Sequence, residues 1–295
     1  MISTRRNQIL AFAFLCVASI VLCWRPLVAT FGLALANDAY THILLIVPLS
    51  AALIYLDSKT RRIDGWPSCG SGLAFFLVAL LIVGYARWGM AGAREDVRLT
   101  LAMLALVTWL IGSLVLCFGV GTLRQFVFPL CFLFLMVPIP DFVLKWIVEF
   151  LQQQSAVAAR LMFRVAGTPV AQDGIRLSIP GLDIEVATEC SSIRSSLMLM
   201  VTTLVFAQLF LRSWWRKVVL VAAAIPLSVA KNGLRIFTIG ELGTRVDPGF
   251  LNGKFHHHGG IVFFAISVAA MVMVLWILRW TELHAGRDHS ALLPG

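Results

Sequence analysis

The chain has 295 residues, of which 59% are hydrophobic and only 13% are charged. A soluble domain of this length carries roughly a quarter charged residues, so the composition excludes an ordinary water-soluble enzyme. The net charge of +9 is compatible with nucleic acid, but no basic stripe interleaved with aromatic residues is present, and no nucleic-acid partner is expected. Lys and Arg instead form short clusters between apolar runs, which indicates contact with membrane lipid.

Eight apolar runs approach the length of about 20 residues that a helix needs to cross a bilayer. They lie at roughly 8–24, 42–56, 71–88, 98–117, 123–140, 191–211, 218–240 and 259–280. The second run is short and is expected to extend upstream toward Asp38. The first lacks a small-residue cleavage site and is expected to remain as an anchor. The predicted fold is all-α, a bundle of about eight spans that forms a single integral membrane domain over residues 1–295.

The charges between the runs predict an orientation. Basic clusters lie on one face of an eight-span bundle, at Arg5/Arg6, Lys59/Arg61/Arg62, Arg124, Arg212/Arg216/Lys217 and Arg279/Arg287. The positive-inside rule makes that face cytoplasmic, together with both termini. The outer face then carries the segments 25–41, 89–97, 141–190 and 241–258.

The insertion 141–190 is the one long polar segment between spans. Its first part places Lys145, Glu149, Gln152 and Arg160 near a helical period, which predicts an amphipathic helix lying in the interface or packed on the bundle. In its second part, apolar residues alternate with polar ones on both sides of Pro180-Gly181, which predicts a small β-hairpin over 175–186.

The hairpin leads directly to Cys190, one of six cysteines in the chain. Thr188 or Ser191 could cap the sixth span, which would place Cys190 in its first turn. A helix N-terminus and a neighbouring cation such as Arg194 both favour the nucleophilic thiolate. The alternative is a buried, inert cysteine.

Two further polar groups lie toward the same predicted outer face. Lys231, Asn232 and Arg235 interrupt the seventh span, where an ionisable residue predicts a functional site unless its side chain snorkels to the surface. Glu241 and Arg245 are expected in the following loop as surface partners. His256, His257 and His258 precede the eighth span and could carry protons. Adjacent histidines point in different directions, so neither a metal nor another cofactor is expected.

At these residues the sequence resembles the exosortase/archaeosortase family of membrane transpeptidases. The resemblance runs from about Tyr40 to Phe264. It rests on Tyr40-Thr41-His42, Val137-Pro138-Ile139-Pro140, Leu151-Gln152, Gly167-Thr168-Pro169-Val170, Glu189-Cys190-Ser191-Ser192-Ile193-Arg194, Asn232-Gly233-Leu234-Arg235, and His256 before Gly260-Ile261-Val262-Phe263-Phe264. The sequence departs from the usual family pattern at two positions: Ser192 replaces a common glycine, and Ile261 replaces a tryptophan.

The resemblance implies a bacterial inner-membrane cysteine peptidase whose substrates are exported proteins. Such a substrate ends in a sorting tail with a short motif of the Pro-Glu-Pro class, a transmembrane helix and a basic end. The implied catalytic residues are Cys190, Arg235 and His256. Because of Ile261 the histidine register is open, and His257 or His258 are alternatives. Arg194 and Asn232 are assigned auxiliary or substrate-contacting roles within the catalytic helices 190–280. The acceptor, an amine or a glycan or lipid group, stays undefined.

Two other classes of protein compete with this interpretation. A transporter would explain the polar residues in the seventh span, although no inverted repeat is detectable and the polar residues lie toward one face. An accessory protein of exopolysaccharide export would tolerate Arg235→Ala.

Overall fold

The computed structural model describes residues 2–60, 67–89, 92, 94–186, 193–245 and 260–291. Within these residues, helices dominate and one small sheet is present, as the sequence predicts. The chain divides into two compact units, residues 1–144 and 145–295.

The first unit is built from apolar helices. Their bounds are α1 (Ile2–Leu22), α2 (Trp24–Ala36), α3 (Ile43–Thr60), α4 (Cys69–Gly84), α5 (Glu95–Gln125) and α6 (Val127–Phe132). Close packing of α4 on α5 depends on glycine, since a Cβ added at Gly72 would meet the Leu116 Cα at 2.8 Å. As expected, the second span is extended upstream, by the 3-10 turn Asp38–Tyr40.

The structure adds to the sequence prediction at two places in this unit. The predicted outer segment 25–41 includes most of the 13-residue helix α2, which the sequence did not predict and which accommodates Pro26 in its first turn. The fifth run, 123–140, is not one continuous helix. Its first residues belong to α5, which breaks at Gly119 (φ 83°), and the rest is α6, the 3-10 turn Leu133–Met136 and an extended proline-containing segment.

The second unit contains most of α7 (Asp141–Val165), followed by α8 (Ile193–Phe210), α9 (Trp214–Arg245) and α10 (Gly260–Ala291). Leu199, Leu220 and Met271 form a fully buried core among α8, α9 and α10. At the start of α9, Glu282 of α10 accepts hydrogen bonds from the Arg212 and Ser213 backbone N–H groups, at 3.1 and 2.7 Å. Glu282 thereby satisfies the backbone N–H groups of the two residues that precede α9.

The amphipathic helix and the hairpin are both confirmed. Along α7, Phe142, Trp146 and Leu161 are exposed, whereas the opposite face buries Ala156 and Phe163. The hairpin is β2 (Arg176–Ile179) and β3 (Leu182–Glu185), turning at Gly181 (φ 84°). A third strand that the sequence did not predict, β1 (Ala171–Asp173), pairs antiparallel with β2.

Seven helices within the described ranges are long and apolar enough to cross a membrane, and an eighth span is counted if the bent pair Val127–Met136 and Asp141–Val165 crosses as one. Many of their large apolar side chains are exposed, such as Phe14 at 72% and Ile261 at 75%. Lipid chains solvate such apolar surfaces well, whereas water does not. The chain is therefore a multi-pass membrane protein, as its composition predicts.

Candidate active site

The centre of α9 carries a row of buried polar side chains. Lys231, Asn232 and Arg235 are 5%, 0% and 9% exposed. Lys231 and Arg235 are four residues apart, so they lie on the same face of the helix, one turn from each other. Two buried cations on one helix turn are costly in an apolar bundle, and such residues mark functional sites in membrane proteins.

This polar face of α9 contacts the first turn of α8. The Lys231 Nζ donates a hydrogen bond to the Oγ of Ser195. Ser195 is five residues after Cys190 in the sequence, and its neighbour Arg194 is exposed. The predicted auxiliary residue Arg194 therefore presents its side chain outward, whereas the next residue faces the buried cation of α9.

Helix α9 also packs tightly against α7 beside Arg235. A Cβ added at Gly233 would meet the Ala158 Cβ at 2.7 Å and the Ala159 backbone nitrogen at 3.1 Å. Only glycine at position 233 permits this approach, because a contact under 3.0 Å requires the helices to move apart. The helical turn that carries Arg235 thus lies directly against α7.

The three-stranded sheet covers the junction of α7 and α9. Leu177, Ile179 and Val186 form a buried cluster with Phe163 of α7 and Ile236 of α9. Beneath the sheet, the Gln152 Nε2 donates a 2.8 Å hydrogen bond to the backbone carbonyl of Val186. Neither the buried role of Gln152 nor that of Ser195 was predicted, although both lie in or beside strings that carry the family resemblance.

A second polar contact joins the end of α7 to α9. Thr168 follows Gly167 (φ 77°) at the α7 C-terminus and donates a 2.6 Å hydrogen bond to Glu241. Glu241 pairs with Arg245 at 2.7 Å, and Arg245 also donates to the Thr168 hydroxyl at 2.9 Å. Glu241 and Arg245 are partners as expected, but they belong to α9 rather than to a loop, because α9 continues to Arg245.

In the first unit, two other strings of the resemblance meet. The Tyr40 hydroxyl donates a 2.8 Å hydrogen bond to the Ile139 carbonyl, and Tyr40 is 3% exposed. Thr100 donates to the neighbouring Pro138 carbonyl at 2.9 Å. A cavity of 440 Å³ beside these residues is lined partly by Glu95 and Asp96. These contacts hold the proline segment in place.

Several predicted site residues lie outside the residues that the structure describes: Cys190, His256, His257 and His258. Of the predicted set, Arg235, Asn232 and Arg194 are described, and the first two share the buried polar face of α9. Among the described parts of the chain, no group of three His, Cys, Asp or Glu side chains could hold a metal ion.

The fold defines a multi-pass membrane protein, and the buried polar face of α9 marks a candidate site where α7, α8 and α9 meet. A family model described as Transmembrane exosortase (Exosortase_EpsH) matches residues 24–273. The chain therefore belongs to the transmembrane exosortase family, in agreement with the sequence resemblance. No curated protein matches the chain. No solved structure matches it either.

Proposed function

We propose that this protein is a cysteine peptidase–transpeptidase that cleaves the C-terminal sorting signals from exported proteins and transfers the cleaved proteins to an acceptor. Membership of the exosortase family supports a sorting transpeptidase. The observation that carries the proposal to this chain is the Lys231–Ser195 contact. This hydrogen bond joins α9, which carries the buried Arg235, to the first turn of α8. Helix α8 begins three residues after Cys190 in the sequence.

In the proposed reaction the Cys190 thiolate attacks the carbonyl carbon of the scissile peptide bond. Arg235 stabilises the negative charge that develops on the carbonyl oxygen. His256, or in the alternative registers His257 or His258, accepts the thiol proton and donates it to the leaving amine. The resulting thioester is released by an amine acceptor or by water, which restores the thiol.

The proposed substrate is an exported protein with a short recognition motif, a transmembrane helix and a basic end. Its helix enters from the lipid phase and brings the scissile bond to the outer face of a bacterial inner membrane. Strand β3 lies at one edge of the sheet, carries the exposed Asp183 and Glu185, and ends five residues before Cys190 in the sequence. We include in the proposal that the extended motif pairs with this sheet by strand addition.

A transporter is the second candidate, since the buried charges of α9 would also suit an ion or substrate pathway. The two functions differ in the role of Cys190. A peptidase loses cleavage of a tailed protein when the thiol is removed, whereas a transporter has no cleavage to lose.

Co-expression with tailed proteins tests the proposal. The mass of each tailed protein is followed with wild type, Cys190→Ala and the control Cys131→Ala, which removes an exposed thiol of α6. We expect shortened substrate with wild type and Cys131→Ala, and full-length substrate with Cys190→Ala. Normal processing by the Cys190→Ala protein would disprove the proposal.

A further inference from the structure

Gln152 differs in burial from the two glutamines that follow it on α7. It is 7% exposed, whereas its neighbours Gln153 and Gln154 are exposed. Its amide nitrogen reaches under the sheet to the carbonyl oxygen of Val186, at 2.8 Å. Burial of an amide is unfavourable without such a bond, so this geometry is specific to glutamine's length and donor.

Both backbone groups of Val186, the N–H and the carbonyl, form hydrogen bonds. Its N–H donates to the Ile175 carbonyl at 3.1 Å, which continues the β2–β3 ladder by one residue. Its carbonyl accepts the hydrogen bond from Gln152, and its side chain is 0% exposed. Val186 is therefore fixed at the end of the described part of the sheet, four residues before Cys190 in the sequence.

Helix α7 also packs against the helix that carries Arg235, the proposed partner of Cys190. Ala158 of α7 packs against Gly233, two residues before Arg235. Gln152 and Ala158 are six residues apart on one helix, which corresponds to about 9 Å along its axis. A single rigid element thus sets the position of Val186 and of the Arg235 helix at once.

We propose that Gln152 is a positioning residue that fixes the end of the sheet, at Val186, relative to the helix that carries Arg235. It acts through the Val186 carbonyl and does not touch the reacting atoms. This inference rests on the proposed function, because it assigns a task to Gln152 within the same reaction. If it holds, removal of the amide misplaces the thiol without removing the substrate-binding surface.

Two measurements on the full-length protein in nanodiscs test this role. The first is kcat and KM for cleavage of a tailed substrate. The second is the rate at which N-ethylmaleimide alkylates Cys190, in a background where the other five cysteines are serine. Gln152→Met removes the donor with little change of length, and Gln152→Asn keeps the amide but shortens it. The matched control is Gln153→Met.

We expect both Gln152 variants to lower kcat by about 10- to 100-fold, the range that misplacement of a reacting group produces, with KM within about 2-fold. The alkylation rate should change by about 5-fold or more, whereas Gln153→Met matches the parent in both measurements. If Gln152→Met does not fold, Gln152→Asn decides the outcome by the same criteria.

The outcomes separate this inference from the proposed function. Wild-type kcat and alkylation rate in a folded Gln152 variant would overturn the positioning role while cleavage by the wild type still stands. If wild type cleaves no tailed substrate but Gln152→Met alone alters Cys190 alkylation, the positioning of the thiol is upheld and the proposed function fails.

Discussion

Lys231, in the second half of α9, donates a hydrogen bond to Ser195, the third residue of α8. This contact fixes the relative position of α8 and α9 along their axes. It places the buried cations of α9 beside the start of α8 rather than beside its middle. The candidate site is consequently a junction of helices and not a feature of α9 alone.

The Lys231–Ser195 contact should be measurable as a coupling energy. We expect Ser195→Ala to destabilise the protein by about 1–2 kcal/mol, because a buried ammonium group loses an acceptor. Lys231→Met should cost less, since it removes the buried charge itself. A double-mutant cycle by chemical unfolding in detergent tests this. A coupling energy near zero would contradict the contact.

Arg235 should matter for chemistry more than for folding. Arg235→Lys keeps a positive charge but loses the planar fork that binds an oxyanion through two N–H groups. We expect kcat to fall by about 100- to 1,000-fold, as for loss of an oxyanion donor, with KM little changed. The control is Arg212→Lys, at an exposed arginine before α9. Equal activity of the two variants would rule out this role for Arg235.

Gly233 should be intolerant of any side chain. Gly233→Ala places a methyl group 2.7 Å from the Ala158 Cβ, so α7 and α9 must separate beside Arg235. We expect lower thermal stability and at least about tenfold lower activity. Gly32→Ala is the control, since a Cβ there meets nothing within 4 Å. Similar behaviour of both variants would show that the α7–α9 approach is not critical.

The sequence predicted these elements unequally, for physical reasons. Alternation over Ile175–Val186 identified the hairpin because a strand has a period of two, but β1 has only three residues and gives no pattern. The run 123–140 is apolar enough to predict a span, yet hydropathy does not register the end of α5 at Gln125 or the extended prolines near Ile139. Buried Arg235 was predicted from the rarity of charge in a span, whereas the Gln152 contact depends on long-range packing.

The orientation of the protein is a separate prediction. The positive-inside rule places the sheet outside and the start of α4 in the cytoplasm. A membrane-impermeant maleimide applied to intact cells should label Asp183→Cys, an exposed position of β3, but not the exposed Cys69. Cys69 should react only after the cells are opened. Labelling of Cys69 but not of Asp183→Cys in intact cells would show the opposite orientation.

The most direct test of the central claim is the capture of the acyl-enzyme. Purified protein is mixed with a tailed substrate and hydroxylamine, which attacks a thioester to give a hydroxamic acid and a free thiol. We expect mass spectrometry to find a hydroxamate at the new C-terminus of the substrate with wild type and Cys131→Ala, and none with Cys190→Ala. Cleaved substrate without hydroxamate, or hydroxamate formation by the Cys190→Ala protein, would contradict Cys190 as the nucleophile.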